Sequence, residues 1–247
     1  KAPRVIVYEG TSKLRTRLDR PGNKGYAVGF EGLIDFINSQ IPTNEIVETA
    51  LRRQVKMFPE IAIRELVANA LIHQDLNETG TSVVVEVYAD RIEVSSPGKP
   101  FIPTERFIDE YQSRNERLAD LMRRVGICEE KGSGIDKVVD SAEVFQLPAP
   151  DFRVGERRTT AVLYAYKTFE DMDRSDRVRA CYQHCSLRWV MNEKMSNQTL
   201  RDRFKLPEER AETVSRIIRD TIEAGLVKLD NPETASKRYA RYVPFWA

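Results

Sequence analysis

Cysteine is scarce in this 247-residue chain: three residues, with no paired framework. That spacing builds no disulfide scaffold and fits a reducing compartment. Histidine is scarcer still, at two residues. Cys181, His184 and Cys185 fall close together, but structural zinc takes four ligands and the other histidine, His73, lies far upstream. These three are expected as buried side chains of one helix. No run of about 18 apolar residues exists, so no membrane span is expected. The Gly-x-x-x-x-Gly-Lys-Ser/Thr loop of a P-loop motor is missing, which argues against helicase activity. Charge of one sign is missing too: 39 Lys/Arg stand against 38 Asp/Glu, so the chain as a whole does not advertise nucleic-acid binding. No repeat, low-complexity tract or secretory leader is legible. What remains is an ordinary globular composition, 41% hydrophobic and 31% charged, enough for one large domain or two smaller ones.

Against that background one segment stands out. Ile61-Ala62-Ile63-Arg64-Glu65-Leu66-Val67-Ala68-Asn69-Ala70-Leu71-Ile72-His73-Gln74-Asp75 reads as a helix that is apolar nearly all round and therefore buried. Yet Glu65, Asn69 and His73, spaced i, i+4, i+8, put a polar stripe on one face. A buried carboxylate and amide are costly unless something satisfies them. A magnesium ion wants hard oxygen ligands, which the Asn69 amide can join. A carboxylate one turn earlier, Glu65, can polarise an attacking water. Further on, Lys131-Gly132-Ser133-Gly134 opens another helix, and such a turn offers backbone N–H groups to phosphate.

The surrounding elements are expected as follows. Residues 4–8 and Tyr26-Ala-Val-Gly-Phe30 read as strands, with a charged, turn-rich connection between them. Leu33 to Gln40 and Ile46 to Lys56 read as helices. Residues 82–88 and 91–95 form a hairpin ended by Pro97-Gly98. Residues 99–131 alternate loop and helix, including 117–124. A helix runs from the glycine turn to Val144, and residues 159–166 make a closing strand. The charge-dense stretch from Glu170 to Asp176 is the expected domain boundary. The opening at Lys1, running straight into a strand, leads us to expect a piece of a longer protein, with residues 1–24 as the tail of a linker.

The order of these motifs resembles the GHKL ATPase superfamily, which includes gyrase B, heat-shock chaperone ATPases, histidine kinases and mismatch-repair ATPases. It is most similar to the divergent branch of helicase-related or transcriptional-regulator-like ATP-binding proteins. The resemblance rests on residues 64–75, on Asp90-Arg91-Ile92-Glu93-Val94 with Pro97-Gly98, on Ser113-Arg114-Asn115 with Leu118-Ala119, and on Glu129-Glu130-Lys131-Gly132-Ser133-Gly134-Ile135. It covers residues 25–166 and implies an α+β fold, a two-layer α/β sandwich, with ATP and Mg²⁺ as cofactors. By that resemblance Asn69 holds Mg²⁺, Glu65 is the general base, and Gly132 and Gly134 contact phosphates, with Lys131 and Ser133 in the same turn. Ser96-Pro97-Gly98 falls at the first glycine box, where active members place an adenine-reading Asp; here Ser96 stands instead. His73 reads either as a site residue or as a structural hydrogen-bonding partner. Asp75 joins the site or starts the turn after the helix. Arg114 and Asn115 belong to a phosphate lid or cap a helix. Members often carry an upstream Schlafen-like DNA-binding domain.

From Arg177 the pattern changes to helices at 177–193, 197–204 and 208–224, then strands at 226–229 and 238–243. Three helices and a hairpin make a winged-helix pattern over 174–247, separate from a first domain over 1–168. This stretch is slightly basic: residues 171–247 hold 15 Lys/Arg against 12 Asp/Glu. Such a module reads DNA with its third helix and sets its wing on phosphate. The expected contacts are Arg210, Ser215, Arg216 and Arg219 on that helix, and Lys237, Arg238 and Arg241 on the wing. The module could equally serve as a dimer or protein contact. The combined expectation is an ATP-dependent, DNA-binding regulator of the bacterial cytosol, homodimeric and without a membrane partner, with slow hydrolysis through Glu65. Alternatives are a degenerate nucleotide fold used as scaffold, or an ATPase accessory in DNA repair or defence.

Overall fold

The computed structural model describes residues 2–48, 51–128, 132–232 and 240–247, the side chains of 43–48 and 51–55 excepted. The chain divides into two compact units, Lys1–Ser141 with Pro150–Ala165, and Ala142–Ala149 with Tyr166–Ala247.

The first unit is built on a six-stranded mixed sheet. In chain order its strands are β1 (Arg4–Tyr8), β2 (Thr16–Pro21), β5 (Val84–Val87), β6 (Arg91–Pro97), β7 (Asp151–Val154) and β8 (Arg158–Tyr164). Their order across the sheet is β2-β1-β5-β6-β8-β7, and only β1 and β5 run parallel. A parallel pair needs a long crossover. Here it holds α1 (Tyr26–Gln40), a hairpin of β3 (Thr43–Glu48) and β4 (Leu51–Lys56), and α2 (Glu60–His73). After the β5–β6 hairpin come a 3₁₀ turn at Thr104–Arg106, α3 (Glu116–Arg124) and α4 (Gly134–Val144).

Strand alternation gives the sheet two unlike faces. Registers Val5↔Val85, Val85↔Val94 and Val94↔Ala161 put small apolar side chains on one face. The opposite face carries paired charges, including Lys13 on Glu86, Arg91 on Glu93 and Arg153 on Asp151. Helix α2 packs on the apolar face along β6 and buries eight of its side chains, among them Ile63, Leu66, Val67 and Leu71. Burying a Leu, Ile or Val side chain contributes about 1.5–3 kcal/mol, so this contact is a main tie between the layers. The helix ends where Gln74 turns extended. Its last carbonyls are not orphaned, because the Asn115 amide donates to Ile72 O at 2.7 Å and to Gln74 O at 2.8 Å.

Four elements differ from expectation. Tyr26-Ala-Val-Gly-Phe30 is the first turn of α1, not a strand. Phe30, Ile34 and Ile37 form a buried i, i+4, i+7 stripe, while Val28 is 84% exposed, which helical but not strand periodicity explains. Residues 46–56, expected as a helix, lie in the β3–β4 hairpin, with Thr43 opposite Lys56 and Glu48 opposite Leu51. Thr43, Ile46, Val47 and Val55 are β-branched, which favours strands. β2 falls in the expected loop, and β7 was not anticipated. Both are sheet edges, and β2 carries the charge and proline that protect edges, so neither shows a hydrophobic pattern.

The second unit holds α5 (Arg174–Val190), α6 (Asn197–Arg203), a 3₁₀ turn at Glu208–Arg210, α7 (Ala211–Glu223) and an antiparallel pair, β9 (Val227–Leu229) with β10 (Tyr242–Pro244). Asp173 caps α5 through Asp176 N, and a Ser196–Thr199 capping box starts α6. Gly225, at φ +72°, ends the third helix. Cys181, Cys185, Met195, Leu200, Val214, Ile217 and Ile218 form the core. No helix among the described residues is long and apolar enough to cross a membrane.

Candidate functional site

Within the first unit a cleft lies between α2 and the apolar face of the sheet. Glu65, Asn69 and His73 line one wall, and Val94, Ser96, Thr159, Ala161 and Phe152 the other. The loop before α3 closes one side with Phe101, Phe107, Tyr111 and Arg114, and Gly132, Ser133 and Gly134 close another. The polar stripe of α2 therefore faces this space rather than the core. Glu65, Asn69 and His73 stay partly accessible on a helix whose other inward positions are buried.

The glycine turn is fitted to that stripe. A Cβ at Gly134 would stand 2.8 Å from Glu65 Oε2 and 3.2 Å from Asn69 Nδ2. Glycine lets the start of α4 approach this closely without displacing either head. Gly132 meets a different demand: its φ is +66°, and a Cβ there would press on Tyr111 at 3.2 Å. The opening N–H groups of α4 lack intrahelical partners and carry the positive end of the helix dipole. One turn in, Lys137 Nζ stands 3.6 Å from Glu65 Oε1.

The residues at the end of α2 divide into lining and bracing groups. His73 lines the cleft and meets Tyr111 edge-on, ring centroids 6.1 Å apart. Burial, and then the neighbouring Arg114 charge, lower its pKa, so the ring is neutral at pH 7. Arg114 also lines the cleft. It lies over Phe101 at 4.0 Å, donates to Lys99 O and reaches Asp75 at 3.3 Å. Asp75, Gly98 and Asn115 stand behind the wall. The Asp75 N–H donates to Pro97 O, and its carboxylate accepts from Asn77 N. Gly98, at φ +94°, seats against Asp75, where a Cβ would fall 2.8 Å from the Asp75 Cβ. The Asn115 amide is engaged on the α2 carbonyls. Ser96 lies on the cleft floor, and Lys131 lies outside the described residues.

Sequence reasoning missed Thr159, Phe101, Tyr111, Phe152 and Lys137. Lys137 was findable, because three residues after Gly134 it falls on the first turn of α4. Thr159 was not, because its place depends on pairing with Ser96 across β6 and β8. Cys128 also lines the cleft, and burial raises its pKa and keeps it a thiol. Asp136, in the first turn of α4, has its pKa raised to about 6, chiefly by burial.

In the second unit Ser215, Arg216 and Arg219 are exposed on α7, and Ser215 Oγ accepts from Asn197 at 3.0 Å. Arg210 precedes the helix and pairs with Glu170 at 3.2 Å. Arg241 is exposed beside β10; Lys237 and Arg238 lie outside the described residues. Cys181 and Cys185 are buried free thiols, and His184 Nδ1 meets Glu143 at 3.0 Å. Among the described residues no His, Cys, Asp and Glu cluster could hold a metal on its own.

Comparison with known proteins bears on the first unit. Residues 80–163 match the family described as "Putative ATP-dependent DNA helicase recG C-terminal". The crystal structure of the DIP2311 protein from Corynebacterium diphtheriae shares the fold, with a TM-score of 0.63 and 18% identity. That likeness covers 98% of this chain and 51% of that one, so this chain spans about half its length. No curated protein sequence matches. Strands β5 and β6, the cleft-closing loop, α3, α4 and β8 thus belong to an ATPase-like domain related to that recG C-terminal region.

Proposed function

We propose that the first unit is a GHKL-like domain that binds ATP with magnesium, and that the second is a winged helix that binds DNA. The observation that carries the nucleotide reading is the seat of Gly134 against Glu65 and Asn69. It sets the start of a helix beside a side-chain amide and a carboxylate, inside a cleft with apolar and aromatic walls. The donor set fits magnesium, which takes one or two protein ligands and fills its shell with phosphate and water. Asn69 would hold the ion, which when bound neutralises phosphate charge. The N–H groups of Gly132, Ser133 and Gly134 would take the phosphates. Arg114 and Tyr111, on the loop closing the cleft, would meet the nucleotide from above. Glu65 would accept a proton from an attacking water.

Lys137 supports a second reading of turnover. An ammonium 3.6 Å from Glu65 engages the carboxylate that would have to accept that proton. Binding without appreciable hydrolysis is the state this pairing favours, with Lys137 released only when the site rearranges. A switch needs no more than binding that differs between two conformations. The DNA reading is supported by three helices and a two-stranded pair in sequence, with exposed Arg216 and Arg219 on the third helix. The regulatory role joins the two readings.

Thermal unfolding with and without ATP plus Mg²⁺ tests the nucleotide reading. A ligand at 100 times its Kd stabilises the folded state by about 2.7 kcal/mol, a readily measured rise in Tm. No rise at millimolar ATP sinks it. Hydrolysis by the wild type and Glu65→Ala at equal rates would remove Glu65 from the base role.

A further inference from the structure

A second cavity, of about 120 Å³, lies within the second unit, where α4 and α6 end. Lys167, Arg203 and Lys205 line it beside the rings of Phe169 and Phe204, and among the described residues no carboxylate does. Arg203 is 5% exposed. Its Nη2 donates to Leu147 O at 2.7 Å, but its Nε, 3.4 Å from Glu143, makes no hydrogen bond. A guanidinium has five N–H donors, and buried donors are almost always answered by protein, water or ligand. Arg203 thus brings spare donors to the lining of the cavity. Lys167 is held by Asp176 at 2.8 Å, whereas Lys205 is exposed and, among the described residues, makes no ion pair.

The two helix ends at this cavity share an uncommon feature. Leu147 N donates to Ala142 O and Gln146 N to Glu143 O; Leu206 N donates to Arg201 O and Lys205 N to Asp202 O. Each pattern is a helix ending that puts a left-handed residue just past the helix, a position glycine usually fills. Gln146, at φ +56°, and Lys205, at φ +50°, stand there instead. Both line the cavity, and a side chain kept where glycine is preferred points to use of that side chain. The rings set the shape of the ligand. Phe169 and Phe204 meet edge-on, 5.2 Å between centroids. A protein cavity of roughly 150 Å³ takes a whole benzene, and this one, open to solvent beside Lys205, has room for a single ring. We propose that it binds a monocyclic aromatic carboxylate, of which benzoate is the simplest. A planar carboxylate matches the guanidinium fork, so Arg203 and Lys205 would take the anion while the ring packs on Phe169 and Phe204. This site does not depend on the nucleotide reading.

Isothermal titration of the whole chain with benzoate tests this, with benzyl alcohol and inorganic phosphate as comparisons. Benzoate should bind with a Kd of about 1 mM or below, and benzyl alcohol and phosphate should each bind at least about tenfold more weakly. Lys205→Gly separates ligand from fold. Glycine suits the left-handed position, so the Tm should hold or rise, while benzoate affinity falls by at least about tenfold. Arg203→Lys should weaken benzoate as well, since an ammonium lacks the fork. No benzoate binding at about 10 mM overturns the inference. So does a Lys205→Gly variant that binds benzoate like the wild type. Phosphate bound as tightly as benzoate would leave the rings idle, and benzyl alcohol bound as tightly would leave the cations idle; either result also overturns it.

Discussion

Gly134→Ala is the sharpest perturbation the cleft offers, because one methyl group reports on both folding and ligand. The added carbon would stand 2.8 Å from Glu65 Oε2, 3.2 Å from Asn69 Nδ2 and 3.7 Å from Asn69 Oδ1. Ordinary contacts begin near about 3.5 Å, so the Glu65 carboxylate must withdraw by roughly 0.7 Å. The Glu65 head is the far end of a flexible side chain and can swing; the shorter Asn69 has less freedom. Overpacking of this kind costs about 1–3 kcal/mol. Alanine inside a helix recovers about 1 kcal/mol over glycine. The net change in stability is therefore roughly 0–2 kcal/mol, measurable by urea unfolding. The ligand effect should be larger. The methyl occupies the approach between the helix start and the Glu65–Asn69 pair, so ATP affinity should fall by at least about tenfold, or 1.4 kcal/mol.

Gly98→Ala supplies the opposite pattern. There the added carbon meets the Cβ of Asp75 at 2.8 Å and its backbone N at 3.4 Å, neither of which can swing away. The φ of +94° adds strain of about 1–3 kcal/mol for a residue with a side chain. Gly98→Ala should thus unfold more readily than Gly134→Ala, yet keep more of its ATP affinity per folded molecule. Titration calorimetry on the folded fraction checks this. If Gly134→Ala binds ATP like the wild type, the turn at 132–134 is not a phosphate cradle and the argument fails.

Asn115→Ala should destabilise by about 2 kcal/mol in urea unfolding, since it strips partners from two carbonyls at the end of α2. Its ATP affinity should change little, because the amide faces away from the cleft. Asp136 contributes a pH dependence of definite sign. Its folded pKa, about 6, lies above the ordinary aspartate range, so the protonated form favours the fold and that stability is lost as pH rises through about 6. Discounted for partial solvent access, the loss is on the order of 1 kcal/mol. Asp136→Asn should therefore raise the Tm at pH 8 more than at pH 4; an equal gain at both would refute the sign. Replacing Arg216 and Arg219 together with alanine should weaken DNA binding at low salt and reduce the slope of log affinity against log salt by about 2. An unchanged slope removes α7 from the proposed phosphate contact.

How much of this was legible in the sequence follows from the range of each interaction. The stripe on α2 was legible because three polar residues at i, i+4 and i+8 interrupt an otherwise apolar helix. The β5–β6 hairpin was legible because its turn and its alternation lie within one window. Tyr26–Phe30 was misread because five residues cannot separate a period of two from one of 3.6 without the stripe that Ile34 and Ile37 complete. The edge strands β2 and β7 were unreadable, because edges carry no hydrophobic signature. Residue order alone suggested that Asp75, Gly98 and Asn115 belong to a site. The structure brings them to its rim, where their polar groups hold the backbone.

Ser96 and Lys137 show why a motif underdetermines chemistry even where its residues converge. Ser96, taken alone, stands where an adenine-reading carboxylate was wanted, which suggests a weakened site. With Thr159 opposite and the Thr159 proton committed to Gly98, the same serine shares its rung with a hydroxyl left only to accept. Lys137 works in the other direction. Glu65 read by itself is a carboxylate facing a cleft; with an ammonium 3.6 Å away it is half of an ion pair. The setting of Ser96 rests on a partner across the sheet, and that of Glu65 on a partner across the cleft. Neither partner lies within the motif that identifies the residue, so the motif alone does not fix the chemistry of its side chains.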